Sequence, residues 1–161
     1  MMPNKHIIYG ILFSSLVWAL FPNIGFLGFF FIAASSALID VDHYFASVIS
    51  GKGWSFNAAY AWYTRKHSTK EDYIYSWILP FHSIECFIIV FGVWILASGW
   101  FANIVLFIFI GGAFHMLLDL IVLIQHRKPL YLKLSFLYTF YINYRYWKYD
   151  IKPKHLNRSE F

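Results

Sequence analysis

The sequence predicts an all-α, polytopic membrane protein with about four transmembrane helices, and three observations lead there. Of its 161 residues, 60% are hydrophobic and 23% aromatic, while only 13% are charged. An ordinary soluble domain carries about twice that charge. Long apolar runs recur at about 7–21, 24–39, 81–98 and 101–124. Finally, no lysine or arginine falls within 7–51 or 71–126, so the cations collect outside the apolar runs.

The first run, about 7–21, follows Lys5 and stops at Pro22-Asn23, a turn signal that denies a helix its continuation. No small-residue cleavage site follows it, so it reads as a retained span rather than a signal peptide. The second run, about 24–39, ends at Asp40, Asp42 and His43. Both are short: about 15 residues of helix reach about 22 Å, against a hydrocarbon core of about 30 Å. They must thin the bilayer, draw on their flanks, or form a hairpin. The third run follows Pro80 and ends at Ser98-Gly99, and the fourth ends before His126-Arg127-Lys128-Pro129.

If all four cross, residues 1–6, 40–80 and 125–161 share one side with every lysine and arginine. The positive-inside rule makes that side cytoplasmic, with both termini inside. The chain is then one integral membrane domain, 1–161: a four-helix core at about 6–124, an interfacial loop at 44–80 and an interfacial tail at 129–161. In the loop, Trp54, Phe56, Tyr60, Trp62 and Tyr63 suit the headgroup layer. There Ser68-Thr69-Lys70-Glu71 has the form of a capping box, which predicts a short helix from about 69. In the tail, Leu130, Leu134, Leu137, Tyr141 and Tyr144 make a helical stripe mixed with Lys133, Arg145 and Lys148, as in a helix lying in the interface. The single cysteine, Cys86, excludes a disulfide framework and a thiolate metal cluster.

Acids are expensive near a bilayer, about 2.5–3.5 kcal/mol at a helix centre on insertion scales. The polar residues touching the apolar runs are His6, Asp40, Asp42, His43, His82, Glu85, His115 and Asp119. With alternating helix directions, all eight fall in the cytoplasmic half, and His115 and Asp119 share one helical face. Scattered helix-end polarity has no reason to collect in this way. Imidazoles with carboxylates are the ligand set of zinc, manganese or iron, and carboxylate-rich versions suit magnesium; zinc or manganese is expected here, and the set is large enough for one or two ions. His6 can serve as ligand or proton relay, and Glu85 is a second candidate for acid–base work. Each residue also has a plainer reading. Asp40 and Asp42 can cap a helix end in water, and His115 with Asp119 can simply tie helices together. His67, His126 and His155, beside basic residues, read as solvated, and Gly111-Gly112 as a place of close helix approach.

At these residues the chain resembles the LexA-binding, inner-membrane-associated hydrolases, also called membrane-bound metal-dependent hydrolases. His6, "DVDH" at 40–43, "FHS" at 81–83 and "HMLLD" at 115–119 carry the resemblance, which covers about 6–120. The family commonly has His-Arg-Gly shortly before its His-Ser, whereas here "SWILP" precedes Phe81-His82-Ser83. The resemblance implies a metal role for His6, Asp40, Asp42, His43, His82, His115 and Asp119, with Ser83 as a supporting donor at the substrate. It also implies residence in the inner membrane.

These readings together lead to the expectation of a membrane-embedded, metal-dependent hydrolase that acts at the cytoplasmic interface on a phosphoester or lipid-linked substrate. Arg65, Lys66 and Lys70 on the facing loop supply cations for phosphate. Membrane lipids are the expected partners and nucleic acid is not, because basic residues beside aromatics at a membrane contact anionic lipid. The alternatives are a metal-ion or proton transporter, and a non-catalytic membrane protein whose His/Asp cluster orients its helices.

Overall fold

The structure, a computed structural model, describes residues 3–66, 80–125 and positions 135, 137, 138, 140, 141 and 144. The described residues form helices and connecting turns, with no strand among them. Helix α1 runs Pro3–Leu20. It begins ahead of the apolar run because proline is tolerated in a first turn, and His6 is thereby already helical. A 3-10 turn at Pro22–Ile24 leads into α2, Gly25–Leu38. After α3 (Val41–Ser47), a π-type turn at Val48–Lys52 leads to α4 (Phe56–Lys66). A 3-10 turn at Pro80–His82 precedes α5 (Ile84–Leu96), and α6 spans Gly99–Gln125.

Packing follows a simple order: α2 lies against both α1 and α6, and α5 packs on α6. Gly10 meets Ser36 while the Trp18 ring sits 5.5 Å from Phe29, so α1 and α2 run antiparallel. Phe87 packs 5.9 Å from Phe109 and His82 reaches His115, so α5 and α6 do too. By contrast, Gly111 meets Ile32 and His115 meets Ser36, which makes α2 and α6 parallel. These directions bring the start of α1, the end of α2, the start of α5 and the C-terminal half of α6 to one end of the bundle.

Interior and exterior are inverted relative to a water-soluble core. Among the described residues, the buried polar side chains are His6, Ser14, Ser36, Asp42, Ser47, His82, Ser83, His115 and Asp119. Leu12, Leu16, Phe26, Leu27, Ile88, Ile89 and Leu117 are exposed. The helices touch through small residues. A Cβ on Gly111 would lie 2.2 Å from the Ile32 carbonyl oxygen and 2.1 Å from Ser35 Oγ, so only glycine permits this approach of α6 to α2. The Pro22–Ser47 stretch (26 residues) and Gly99–Gln125 (27 residues) are long and apolar enough to cross a membrane.

Helical structure continues beyond the acidic cluster, where the sequence reading placed only a connection. The chain turns at Ile39-Asp40 with i→i−3 bonds from Asp42 N–H to Ile39 and from His43 N–H to Asp40, then resumes as α3. Gly51 (φ 74°) and Gly53 (φ 84°) take left-handed conformations that turn the chain towards α4. Tyr44 Oη donates to the Trp54 carbonyl at 2.6 Å and its ring stacks on Phe56, which pins this corner. Trp54, Phe56 and Tyr60 are exposed there. The helix expected from about 69 lies outside the described residues. In the tail, positions 137, 138, 140, 141 and 144 are helical, and the remainder of the 130–149 stripe lies outside the description.

Candidate metal centre

Three helices and two turns supply the side chains of the centre. His6 comes from the first turns of α1, Asp40 from the break after α2, and Asp42 and His43 from the first turn of α3. His82 ends the 3-10 turn before α5, and His115 and Asp119 sit one turn apart on α6. The placement of His82 is built locally. Pro80 opens its turn, and Ser83 is the N-cap of α5, donating its hydroxyl to the Pro80 carbonyl (2.7 Å) and accepting from Cys86 N–H (3.3 Å).

The ring hydrogens of two histidines are fixed by their partners. His115 Nδ1 lies 2.6 Å from the Ser36 carbonyl oxygen. A carbonyl can only accept, so this nitrogen carries the hydrogen. Ser36 lies in the last turn of α2, where carbonyls have no helical N–H to bond. His82 Nδ1 lies 2.9 Å from Asp42 Oδ2, and an ionised carboxylate likewise requires the hydrogen on Nδ1. With each Nδ1 so committed, the two Nε2 atoms face each other at 3.1 Å, a separation bridged either by a hydrogen carried on one ring or by a cation held between the two nitrogens.

Carboxylate oxygens complete the set. Asp40 Oδ1 is 3.5 Å from His82 Nε2 and 3.7 Å from His115 Nε2. Asp119 Oδ2 is 3.7 Å from His82 Nε2 and 4.0 Å from His115 Nε2. A tetrahedron with bonds of about 2.0–2.1 Å has edges of about 3.3–3.4 Å, so each carboxylate oxygen stands at or slightly beyond a coordinating separation from the two nitrogens. The Asp42–His82 pair has the form of the carboxylate–histidine contact that fixes a ligand's tautomer and orientation. Asp40 Oδ2 and Asp42 Oδ1 are buried without hydrogen bonds, a costly state for a carboxylate that a nearby cation removes.

The remaining two histidines flank this set. His6 stacks on His115 with ring centroids 3.9 Å apart, and its Nε2 is 3.3 Å from Asp119 Oδ1. His43 Nε2 is 3.7 Å from Asp40 Oδ1. In each of the groups His6–Asp40–His115, Asp40–His43–His82 and His82–His115–Asp119 the donor atoms lie within 4.8 Å of one another, the proximity that a shared metal ion requires. Burial is graded: the His43 side chain keeps 12% of its exposure and Asp40 9%, whereas His6 and His115 keep none. The centre is thus reached from its His43 edge and closed at its His6 edge.

No protein-family model, curated protein or solved structure matches this chain. The geometry must therefore carry the reading.

Seven of the eight polar residues singled out from the sequence meet here. Asp42 stands behind His82, whereas Asp40 and Asp119 face the nitrogens directly. Glu85 turns elsewhere: its Oε1 accepts from Ser135 Oγ and from Leu137 N–H, so it anchors the tail to the first turn of α5. Ser83 spends its hydroxyl on the helix cap. Arg65 and Lys66 lie at the end of α4, but their side chains, like all of Lys70, are outside the described residues. Sequence reasoning missed Ser36, because its contribution is a backbone carbonyl that side-chain chemistry does not signal.

Proposed function

We propose that this chain is a membrane-embedded, metal-dependent hydrolase with one transition-metal ion, such as zinc or manganese, held by Asp40, His82, His115 and Asp119. The facing Nε2 atoms of His82 and His115 carry this reading, since each ring's Nδ1 is committed elsewhere and a carboxylate oxygen of Asp40 and of Asp119 stands beside both nitrogens. The inverted burial supports placement in lipid. So do the two long apolar helices, with α1 and α5 as shorter companions that complete four crossings. The collection of lysines and arginines outside the runs supports cytoplasmic termini.

Such an ion makes bound water a nucleophile near neutral pH. The chain's own residues do the rest. Asp42 holds the His82 ring in register. His43, at the accessible edge beside Asp40, is placed to exchange a proton with an incoming substrate, a role for which the enclosed His6 and the tail-directed Glu85 are badly sited. A phosphoester, either soluble or on a lipid headgroup, is the substrate class that suits the cations Arg65, Lys66 and Lys70 that the sequence carries between α3 and α5. Transport is the weaker reading. No Asp, Glu, His, Lys or Arg occurs at 7–39, 86–114 or 120–125, so nothing ionisable continues the path towards the other end.

The experiment is metal analysis and phosphoesterase assay of detergent-purified protein. The wild type should hold metal and release phosphate from p-nitrophenyl phosphate or phosphatidate. His115→Ala should do neither while keeping its helical circular dichroism. Metal-free wild type, or phosphate release that is the same in both proteins, would sink the proposal.

A further inference from the structure

We infer that the centre takes a second metal ion on the His6 side, bridged to the first by Asp119. This rests on the metal reading above and extends it from one ion to a pair.

The two oxygens of Asp119 address different partners. Oδ2 is turned to the facing nitrogens of His82 and His115, at 3.7 and 4.0 Å, while Oδ1 is 3.3 Å from His6 Nε2. A carboxylate split in this way is the usual bridge of two-ion sites, in which the metals stand about 3.5–4 Å apart. His6 supplies the terminal nitrogen. It is fully buried, neither ring nitrogen makes a hydrogen bond, and its ring is held in place by stacking on His115. A third donor is at hand, because Asp40 belongs with His6 and His115 to a group whose donor atoms all lie within 4.8 Å of one another. Its Oδ2 is buried and makes no hydrogen bond.

Three carboxylates gather here with little exposure, Asp40 at 9%, Asp42 at 4% and Asp119 at 5% of the side chain, a concentration of acids that favours bound cations. His43 is the weaker candidate for the second ion's terminal nitrogen, since it approaches Asp40 by the same Oδ1 that faces His82 and His115.

Manganese is the probe that counts the ions. Full-length protein in detergent is stripped, loaded with Mn(II), freed of excess and analysed for metal per chain. The wild type should hold two ions, His6→Ala one and His115→Ala none. The loaded wild type should also show the exchange-coupled paramagnetic resonance spectrum of a bridged pair, which does not depend on any variant folding. His6→Ala should revert to the spectrum of an isolated ion. One ion in the wild type, with an uncoupled spectrum, overturns the second position and leaves the metal reading standing. No ion in the wild type overturns both. Two ions persisting in His6→Ala overturn the assignment of His6.

Discussion

His82 and His115 turn their Nε2 atoms to each other across 3.1 Å, while each ring commits its Nδ1 to a partner behind it. On the proposed metal reading, the folded state and the bound ion are linked. Removing metal with a chelator is expected to lower the thermal midpoint of the wild type, because an ion that binds only the native state stabilises it by mass action. His82→Ala should show no such shift. Differential scanning fluorimetry in detergent, with and without chelator, makes the comparison; equal shifts in both proteins would count against the linkage.

Asp42 meets the His82 ring at Nδ1, on the side away from His115. Asp42→Asn keeps an oxygen for the His82 N–H but loses the charge that strengthens it as a ligand. Changes of this kind behind a metal ligand typically cost about 10–100-fold in affinity. Metal content at saturation should therefore stay unchanged, while competition against a chromophoric chelator reports weaker binding. Loss of stoichiometry at saturation would instead make Asp42 a ligand.

Two glycines should respond in opposite ways. A methyl group at Gly111 would meet the Ile32 carbonyl at 2.2 Å, so Gly111→Ala must separate α2 from α6. Overpacking of this sort costs about 1–3 kcal/mol, and here it also stretches the His115–Ser36 bond, so metal affinity should fall along with stability. Gly92 lies within α5 and has nothing within 4 Å of its built Cβ. Gly92→Ala should gain about 0.5–1 kcal/mol from the helix propensity alone. Thermal midpoints and metal content of the two variants decide it.

Topology is open to single-cysteine labelling in a Cys86→Ser background. Lys5→Cys and Lys52→Cys should be shielded from a membrane-impermeant maleimide in spheroplasts. Asn23→Cys and Ser98→Cys, in the two tight turns, should react. Labelling of all four positions alike would rule out four crossings.

Glu85 gives a control of a different kind. Its carboxylate accepts from Ser135 and Leu137, so Glu85→Ala should leave the metal count intact and free the tail. Limited proteolysis should then cut after α6 faster than in the wild type. Metal loss in this variant would return Glu85 to the centre.

Much of the centre was legible because ionisable groups have so little reason to sit at the ends of apolar runs. His6, Asp40, Asp42, His43, His82, His115 and Asp119 stand out on that ground, and the i, i+4 spacing of His115 and Asp119 already puts them on one face. Gly111-Gly112 was readable as a close approach for a similar reason. Other features depend on geometry that composition does not encode. On an unbroken helix Asp40 and Asp42 would point about 200° apart. The turn at Ile39-Asp40 lets both reach the His82 ring, one at Nε2 and one at Nδ1, and so divides their roles. Glu85 has the right chemistry at the right spacing, three residues from His82, yet the tail claims it. The helices α3 and α4 were hidden because glycines and aromatics in 44–66 blur the apolar period.

Ser36 deserves a last look through its neighbours. It is pressed by Gly10 from α1 and hydrogen-bonded by His115 from α6, one turn beyond the place where Gly111 touches Ile32. Gly10, Ile32, Ser36 and Gly111 carry no ionisable group, yet their contacts set where the His115 imidazole stands, so a larger side chain at Gly10 or Gly111 would move that ring together with its helix.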